Sequence, residues 1–189
     1  MPEQAPSVAQ VAPKVDIAAN FQEAIWNPDV QTAKLHYASV EPTQALTTDQ
    51  QTGVSTIARL AVPKEKEAGA DGYVMVGHKP DTGYFVAGPE SDLSQIGAAA
   101  AGHKVIPREL PMELGAQPGS SLTVGRGGFT FRSPDRLEPE SAPRGWSSGV
   151  LEEFGPFTSS EHFTVAVTET GGLRITDHSS NGTRVQIKK

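Results

Sequence analysis

Three short polar clusters, separated by alternating apolar residues, carry the side chains that could bind an anion. The first is Gly125-Arg126, the second runs from Ser159 to His162, and the third runs from Asp177 to Thr183. A phosphate monoester carries nearly two negative charges, so its site needs a fixed cation and several neutral donors. Arginine stays charged at physiological pH, and hydroxyl and amide groups donate without adding a charge that must be desolvated. Together the clusters could therefore hold a phosphate.

The order of these clusters resembles that of a known family. Leu122-Thr123-Val124-Gly125-Arg126 comes first, a Ser-x-x-His begins at Ser159, and an Asp-x-Ser-x-Asn-Gly-Thr begins at Asp177. This order is similar to that of forkhead-associated (FHA) domains, and the resemblance covers about residues 103–189. It implies a β-sandwich that binds phosphothreonine peptides.

The resemblance also implies a role for each residue of the clusters. The guanidinium of Arg126 would bind the phosphate, and the hydroxyls of Ser159 and Ser160 would contact it from one loop. Ser180 would reach it from the opposite loop, and Asn181 would hold the peptide main chain beside the phosphothreonine. A second group would support these loops through hydrogen bonds or through backbone conformations that suit glycine. Its members are Gly125, His162, Asp177, Gly182 and Thr183.

The composition argues against several other classes of protein. The chain of 189 residues has a formal net charge of -6, no cysteine and five dispersed histidines. An acidic chain without a basic run does not favour nucleic-acid or anionic-membrane binding. Without cysteine there is no disulfide and no thiolate metal site. No apolar run approaches the roughly 20 residues that span a bilayer, and signal-peptide features are missing. We therefore predict a cytoplasmic protein with no membrane span, metal or cofactor.

The elements that must position the clusters begin near residue 55. Residues 1–54 are rich in Pro, Ala, Gln and Thr, which predicts a flexible tail. Within this tail, residues 16–26 fit one short amphipathic helix. Residues 55–189 contain short apolar runs split by Pro, Gly and Asp, which predicts an all-β, FHA-like sandwich.

The predicted elements of the sandwich are mostly short strands, two pairs of which form hairpins. The strands are 56–62, 72–76, 84–87, 105–106, 112–114, 122–124, 163–167, 173–175 and 183–187. Residues 91–101 predict a short helix, because Ser91 can cap it and Gly102 can end it. The proline- and glycine-containing segment 127–158 is longer than an ordinary connection, so we predict an irregular insertion or a functional loop there.

The chain departs from the family at two points. Ser160 is small and neutral where members usually have a basic or polar residue, which could lower affinity. Members also continue for several strands after Asn-Gly-Thr, whereas this sequence ends at Lys189 and would leave sheet edges exposed. We predict that the strands within residues 55–90 fill those places and give a rearranged or permuted sandwich. The alternatives are strands added by a partner, and a cropped or degenerate domain.

The function that the resemblance implies is a phosphothreonine-peptide-binding adaptor in Ser/Thr kinase signalling. Its partner would be a phosphothreonine-containing protein, either a Ser/Thr kinase or one of its substrates. The alternative is a structural or assembly module that keeps the fold and has lost phosphopeptide binding. Ser159, His162 and Asp177 also suggest a hydrolase triad, but the chain lacks a Gly-x-Ser-x-Gly elbow. A serine and a histidine three residues apart do not place a nucleophile against its base, so we predict no enzymatic activity.

Overall fold

Two antiparallel β-sheets enclose a shared hydrophobic core in a computed structural model of the chain. The model describes residues 30–34, 37–63, 71–89, 91, 93–97, 111–143, 149–152, 154–180 and 183–188. The first strands are β1 (Val30–Lys34), β2 (Tyr37–Val40), β3 (Thr47–Thr48), β4 (Ser55–Pro63), β5 (Asp71–Lys79), β6 (Gly83–Ala87) and β7 (Met112–Gly115). They are followed by β8 (Ser121–Gly125), β9 (Gly128–Arg132), β10 (Glu140–Pro143), helix α1 (Gly149–Glu152), β11 (Phe163–Val167), β12 (Leu173–Asp177) and β13 (Arg184–Lys188). This architecture confirms the predicted all-β sandwich.

The strand order places early and late parts of the chain side by side. Sheet 1 has the order β1-β13-β4-β5-β6-β7, and β3 also pairs with β4. Sheet 2 has the order β10-β9-β8-β11-β12-β2. The last strand, β13, therefore lies between two strands that precede it by more than a hundred residues.

The strands of sheet 2 form because apolar and polar residues alternate along them. In β11, Phe163, Val165 and Val167 are buried, while Thr164 and Ala166 between them are partly exposed. Successive side chains of a strand point to opposite faces, so the apolar set faces the core. Burial of each such side chain contributes about 1.5–3 kcal/mol.

The central strands β4, β5 and β6 of sheet 1 are buried on both faces. All five residues of β6 are buried, and its alternate residues Phe85 and Ala87 belong to a second apolar cluster outside the main core. Met75 of β5 and Ile96, which follows a 3-10 turn at Leu93–Gln95, join this cluster. This double burial explains why β4 to β6 read as nearly continuous apolar runs.

The N-terminal part of the sandwich differs from the prediction. Residues 1–54 were expected to be a tail, but Val30–Lys34, Tyr37–Val40 and Thr47–Thr48 are strands paired with β13, β12 and β4. Such short segments have weak intrinsic preferences, and β pairing depends on the neighbouring strand that is available. The predicted helix at 16–26 lies outside the described residues.

The segment that follows the first cluster also differs from the prediction. Residues 127–158 were expected to be an irregular insertion or a functional loop, but they contain β9, β10 and α1. Phe129 and Phe131 of β9 are buried in the core, and β9 pairs with β8 along its whole length. Nearby glycines and prolines obscured this alternation. Of the predicted helix at 91–101, the described part forms only the 3-10 turn, and the predicted strand at 105–106 lies outside the described residues.

Early strands lie beside the two strands that flank the third cluster, β12 and β13. β13, which follows the third cluster, pairs with β4 on one side and β1 on the other. β2 pairs with the outer edge of β12. Early strands therefore extend both sheets beside β12 and β13, and they include β1 and β2 as well as strands within residues 55–90.

Candidate functional site

Three strand ends bring the polar clusters to one rim of sheet 2. β8 ends at Gly125, next to the start of β11, where Val124 pairs with Phe163. Phe163 in turn pairs with Asp177, where β12 ends. Because neighbouring strands run antiparallel, the end of β8, the start of β11 and the end of β12 share one edge. The loops that carry the three clusters therefore meet there.

The first and second loops are joined backbone to backbone. The Arg126 N–H donates to the Ser159 carbonyl at 3.0 Å, and the Gly127 N–H donates to the Ser160 carbonyl at 3.0 Å. A Cβ on Gly125 would lie 2.7 Å from the Ser159 carbonyl oxygen and would collide with the Ser160 carbonyl. Glycine at 125 is thus a requirement of the close approach that sets Arg126 beside the serines.

The second and third loops are joined through Ser159. Its Oγ accepts the backbone N–H of Ser180 at 3.1 Å. Below this contact, the His178 N–H donates to the His162 carbonyl at 2.9 Å. Since the Ser159 oxygen acts as an acceptor here, its hydroxyl hydrogen can still be donated to a ligand.

His162 lies beneath the serine loop and is fully buried. Its Nδ1 accepts the backbone N–H of Ser159 at 3.2 Å. Its ring meets the edge of Phe154, with centroids 5.9 Å apart and planes at 70°. This packing holds the His162 ring in place, and its hydrogen bond orients the serine loop from inside the protein. His162 therefore has the position expected of a residue that supports the loop.

Asp177 holds the base of the third loop. One carboxylate oxygen, Oδ1, accepts the Ser179 N–H at 2.9 Å and the Ser179 hydroxyl at 2.6 Å. The same oxygen accepts the hydroxyl of buried Thr183 at 3.1 Å. Asn181 and Gly182, which belong to the same predicted set, lie outside the described residues. The described ends of this loop are therefore tied to one carboxylate.

An open cavity of about 520 Å³ lies where the loops meet. The predicted ligand-binding side chains Arg126, Ser159, Ser160 and Ser180 all line it. Arg126 is exposed, and its Nη1 donates to the Pro156 carbonyl at 3.3 Å. Within the described part of the chain no carboxylate forms an ion pair with this guanidinium. The cavity therefore combines a cation with three hydroxyl groups and suits a small, multiply charged anion.

Several residues of the cavity were not expected from the sequence. Pro156, Phe157 and Thr158 line it from the segment that was predicted to be an insertion. Thr158 is buried and its hydroxyl donates to the Gly155 carbonyl at 2.5 Å, which shapes the turn before the serines. Glu161 also lines the cavity and brings a negative charge to its wall. Their direct adjacency to Ser159 and Ser160 was the signal that could have revealed them.

Comparison with known proteins found no match to a protein-family model, to a curated protein or to a solved structure. In the described part of the chain, no three His, Asp or Glu side chains are grouped so that they could hold a metal ion. None of the described helices has the length and apolar character needed to cross a membrane.

Proposed function

We propose that this chain is a phosphothreonine-peptide-binding adaptor module in Ser/Thr kinase signalling. The observation that carries the proposal is the convergence of Arg126, Ser159, Ser160 and Ser180 on one open cavity. The partner is a phosphothreonine-containing protein, either a Ser/Thr kinase or a substrate of one. The module holds its partner and performs no chemistry on it.

The chemistry of the cavity supports a phosphate as the ligand. The planar guanidinium of Arg126 can donate to two phosphate oxygens, and the serine hydroxyls can donate to the remaining ones. Hydrogen bonds to charged groups contribute about 1.5–3 kcal/mol each. Several of them suffice for micromolar affinity, which corresponds to about 8 kcal/mol, after the cost of association.

The topology supports an FHA-like sandwich in a permuted form. Strands β1, β2, β4 and β5 precede the three clusters in the chain, yet they extend the sheets beyond β12 and β13, which flank the third cluster. FHA domains continue for several strands after Asn-Gly-Thr, and in this proposal the early strands of the chain take their place.

The hydrogen bonds do not support a hydrolase. Nδ1 of His162 accepts the backbone N–H of Ser159, and the Ser159 hydroxyl oxygen accepts from Ser180. Oδ1 of Asp177 accepts from Ser179 and Thr183. A triad needs the histidine to accept the serine hydroxyl proton and the carboxylate to orient the histidine. The bonds that these three residues make serve to order the loops.

One observation favours the second candidate function, a structural or assembly module. Glu161 places a carboxylate on the wall of the cavity, where it opposes a phosphate. Ser160 is also smaller than the basic or polar residue typical of FHA domains at this point. If these features prevent phosphate binding, the sandwich acts as a scaffold.

Isothermal titration of the full chain separates the two functions. The ligands are a degenerate phosphothreonine peptide pool and the same pool without phosphate. We expect binding only with phosphate, and Arg126→Ala should weaken it about 10- to 100-fold because a charge-assisted contact is lost. Arg132→Ala is the matched control, because Arg132 is exposed at the opposite end of the β8–β9 pair. The absence of phosphate-dependent heat would favour the scaffold function instead.

A further inference from the structure

A second pocket of about 330 Å³ adjoins the candidate phosphate site. Ser160 and Glu161 line both cavities, so these two residues form the wall between them. The second pocket opens over the outer face of sheet 2, where Thr123, Thr130 and Ser141 line it. The second pocket is therefore within reach of residues that flank a phosphate bound in the first cavity.

The floor of the second pocket includes three members, Thr123, Thr130 and Ser141, of a row of hydroxyl groups on the outer face of sheet 2. The strand register places Thr164 opposite Thr123, Thr123 opposite Thr130, and Thr130 opposite Ser141. The Thr123 and Thr164 hydroxyl oxygens are 2.7 Å apart, and those of Thr130 and Ser141 are 3.3 Å apart. Each hydroxyl oxygen can accept a hydrogen bond from a ligand. The floor can thus accept several donors at once.

Glu161 supplies the charge of this pocket. Its side chain is exposed, and it forms no ion pair with a cation among the residues that the structure describes. A carboxylate above a row of hydroxyl acceptors matches a cationic donor, either the ammonium of lysine or the guanidinium of arginine. An acidic ligand side chain would meet like charge there.

We propose that the second pocket selects phosphopeptides that carry a lysine or arginine close to the phosphothreonine, with Glu161 as the specificity-determining residue. This proposal rests on the proposed phosphothreonine-binding function. The two cavities share a wall, and an extended peptide advances about 3.3 Å per residue, so the basic residue lies within about three positions of the phosphothreonine. The basic side chain also offsets the repulsion that Glu161 exerts on the phosphate.

The test is fluorescence anisotropy with the full chain and matched peptides. One phosphothreonine peptide series carries Lys, Arg, Gln or Glu at each of the three positions on either side of the phosphothreonine. We expect Lys or Arg at one position to improve affinity over Gln by about twofold to fivefold, as for an exposed ion pair. The preference should shrink at high ionic strength, because salt screens exposed charges.

Variants of Glu161 assign the preference to this side chain. Glu161→Gln should abolish the advantage of the basic residue and should slightly improve binding of the Gln-containing peptide, since the repulsion of the phosphate is removed. Glu161→Lys should shift the preference to the Glu-containing peptide. Glu169→Gln is the matched control, because Glu169 is exposed in the turn at the other end of β11 and should change nothing.

The outcomes distinguish this proposal from the function on which it rests. Phosphate-dependent binding with no preference for a basic residue, or with a preference that survives Glu161→Gln, would overturn the selectivity alone. If no peptide of the series, basic ones included, binds in a phosphate-dependent way, both the selectivity and the adaptor function are wrong.

Discussion

Two arginines of this chain lie in opposite environments. Arg126 is exposed at the rim of sheet 2, where its Nη1 contacts the Pro156 carbonyl at 3.3 Å. Arg59 is only 3% exposed, and it lies on β4 between Ala58 and Leu60, which face the main core. Alternation along the strand turns Arg59 to the other face of sheet 1. One cation is therefore open to a ligand, whereas the other is enclosed by the protein.

The buried arginine is also poorly paired. Its Nη1 donates to Gln186 Oε1 at 3.4 Å, while its Nε and Nη2 find no acceptor among the residues that the structure describes. Burial lowers the pKa of the Arg59 guanidinium below its ordinary value, because desolvation disfavours the charged form. The comparison shows that unsatisfied hydrogen-bond donors alone do not make a binding site. The donors must also be accessible to a ligand, as those of the exposed Arg126 are.

The largest effect should come from Gly125→Ala, which attacks the backbone contact that sets Arg126 in place. The new Cβ would lie 2.7 Å from the Ser159 carbonyl oxygen, so the two loops must separate. We expect a loss of about 2–3 kcal/mol in the free energy of unfolding, measured by urea denaturation, together with weaker phosphopeptide binding.

Gly127→Ala is the control for that prediction. Its Cβ would lie 3.1 Å from the Ser160 carbonyl oxygen, a milder contact, so we expect a loss below about 1 kcal/mol. Equal losses for the two variants would show that the close approach at Gly125 does not hold the rim together.

The next-largest effect tests Arg59, the buried arginine of the comparison. Replacing both buried polar partners, as in the double variant Arg59→Met and Gln186→Leu, removes a desolvated charge and its unsatisfied donors. We expect the free energy of unfolding to rise by about 1–2 kcal/mol, while phosphopeptide affinity stays unchanged. Lower stability measured by urea denaturation would mean that Arg59 has a stabilising partner.

Arg126→Lys tests whether the shape of the exposed arginine matters at the candidate site. Lysine keeps the positive charge but loses the planar fork that contacts two oxygens. We expect phosphopeptide affinity to fall about threefold to tenfold in isothermal titration, with a change in unfolding free energy within about 0.5 kcal/mol, because Arg126 is exposed. Unaltered affinity would indicate that charge alone, and not the shape of the guanidinium, acts at the site.

The smallest effect concerns His78, because burial disfavours the charged form of its ring. Burial lowers the pKa of His78, whose ring lies 4.9 Å from that of Tyr84. The fold therefore favours neutral His78, so its contribution to stability is present above the unfolded pKa of about 6.5 and is lost as pH falls below it. His78→Gln should flatten the decline in urea midpoint between pH 7 and pH 5. An unchanged slope would assign the decline to other groups.

Alternation of apolar residues made most of the strands predictable. The segments that became β4 to β8 and β11 to β13 were identified because each carries its own apolar run or alternation. Strands β1, β2 and β3 were missed, since their short sequences lack a distinct apolar run and acquire β structure by pairing with β13, β12 and β4. Strand β9 was missed because its glycine start and the prolines after it favoured a loop.

The candidate site was predictable to a similar degree. Residue types and motif order pointed to Arg126, Ser159, Ser160 and Ser180, and the structure places all four around one cavity. The part played by Glu161 was not predictable, because two cavities share its side chain only after β8, β9 and β11 are side by side. The burial of Arg59 was equally hidden, since arginine is usually exposed.

By itself, the sequence determined the β character of the chain and the chemical types of the ligand-binding side chains, because strand alternation and side-chain chemistry are local properties. Only the tertiary structure decided which strands became neighbours, which arginine stayed accessible and which carboxylate stands beside the candidate phosphate site. The reason is physical: pairing, burial and desolvation are set by groups that are distant along the chain and come together only when the sheets close over their core.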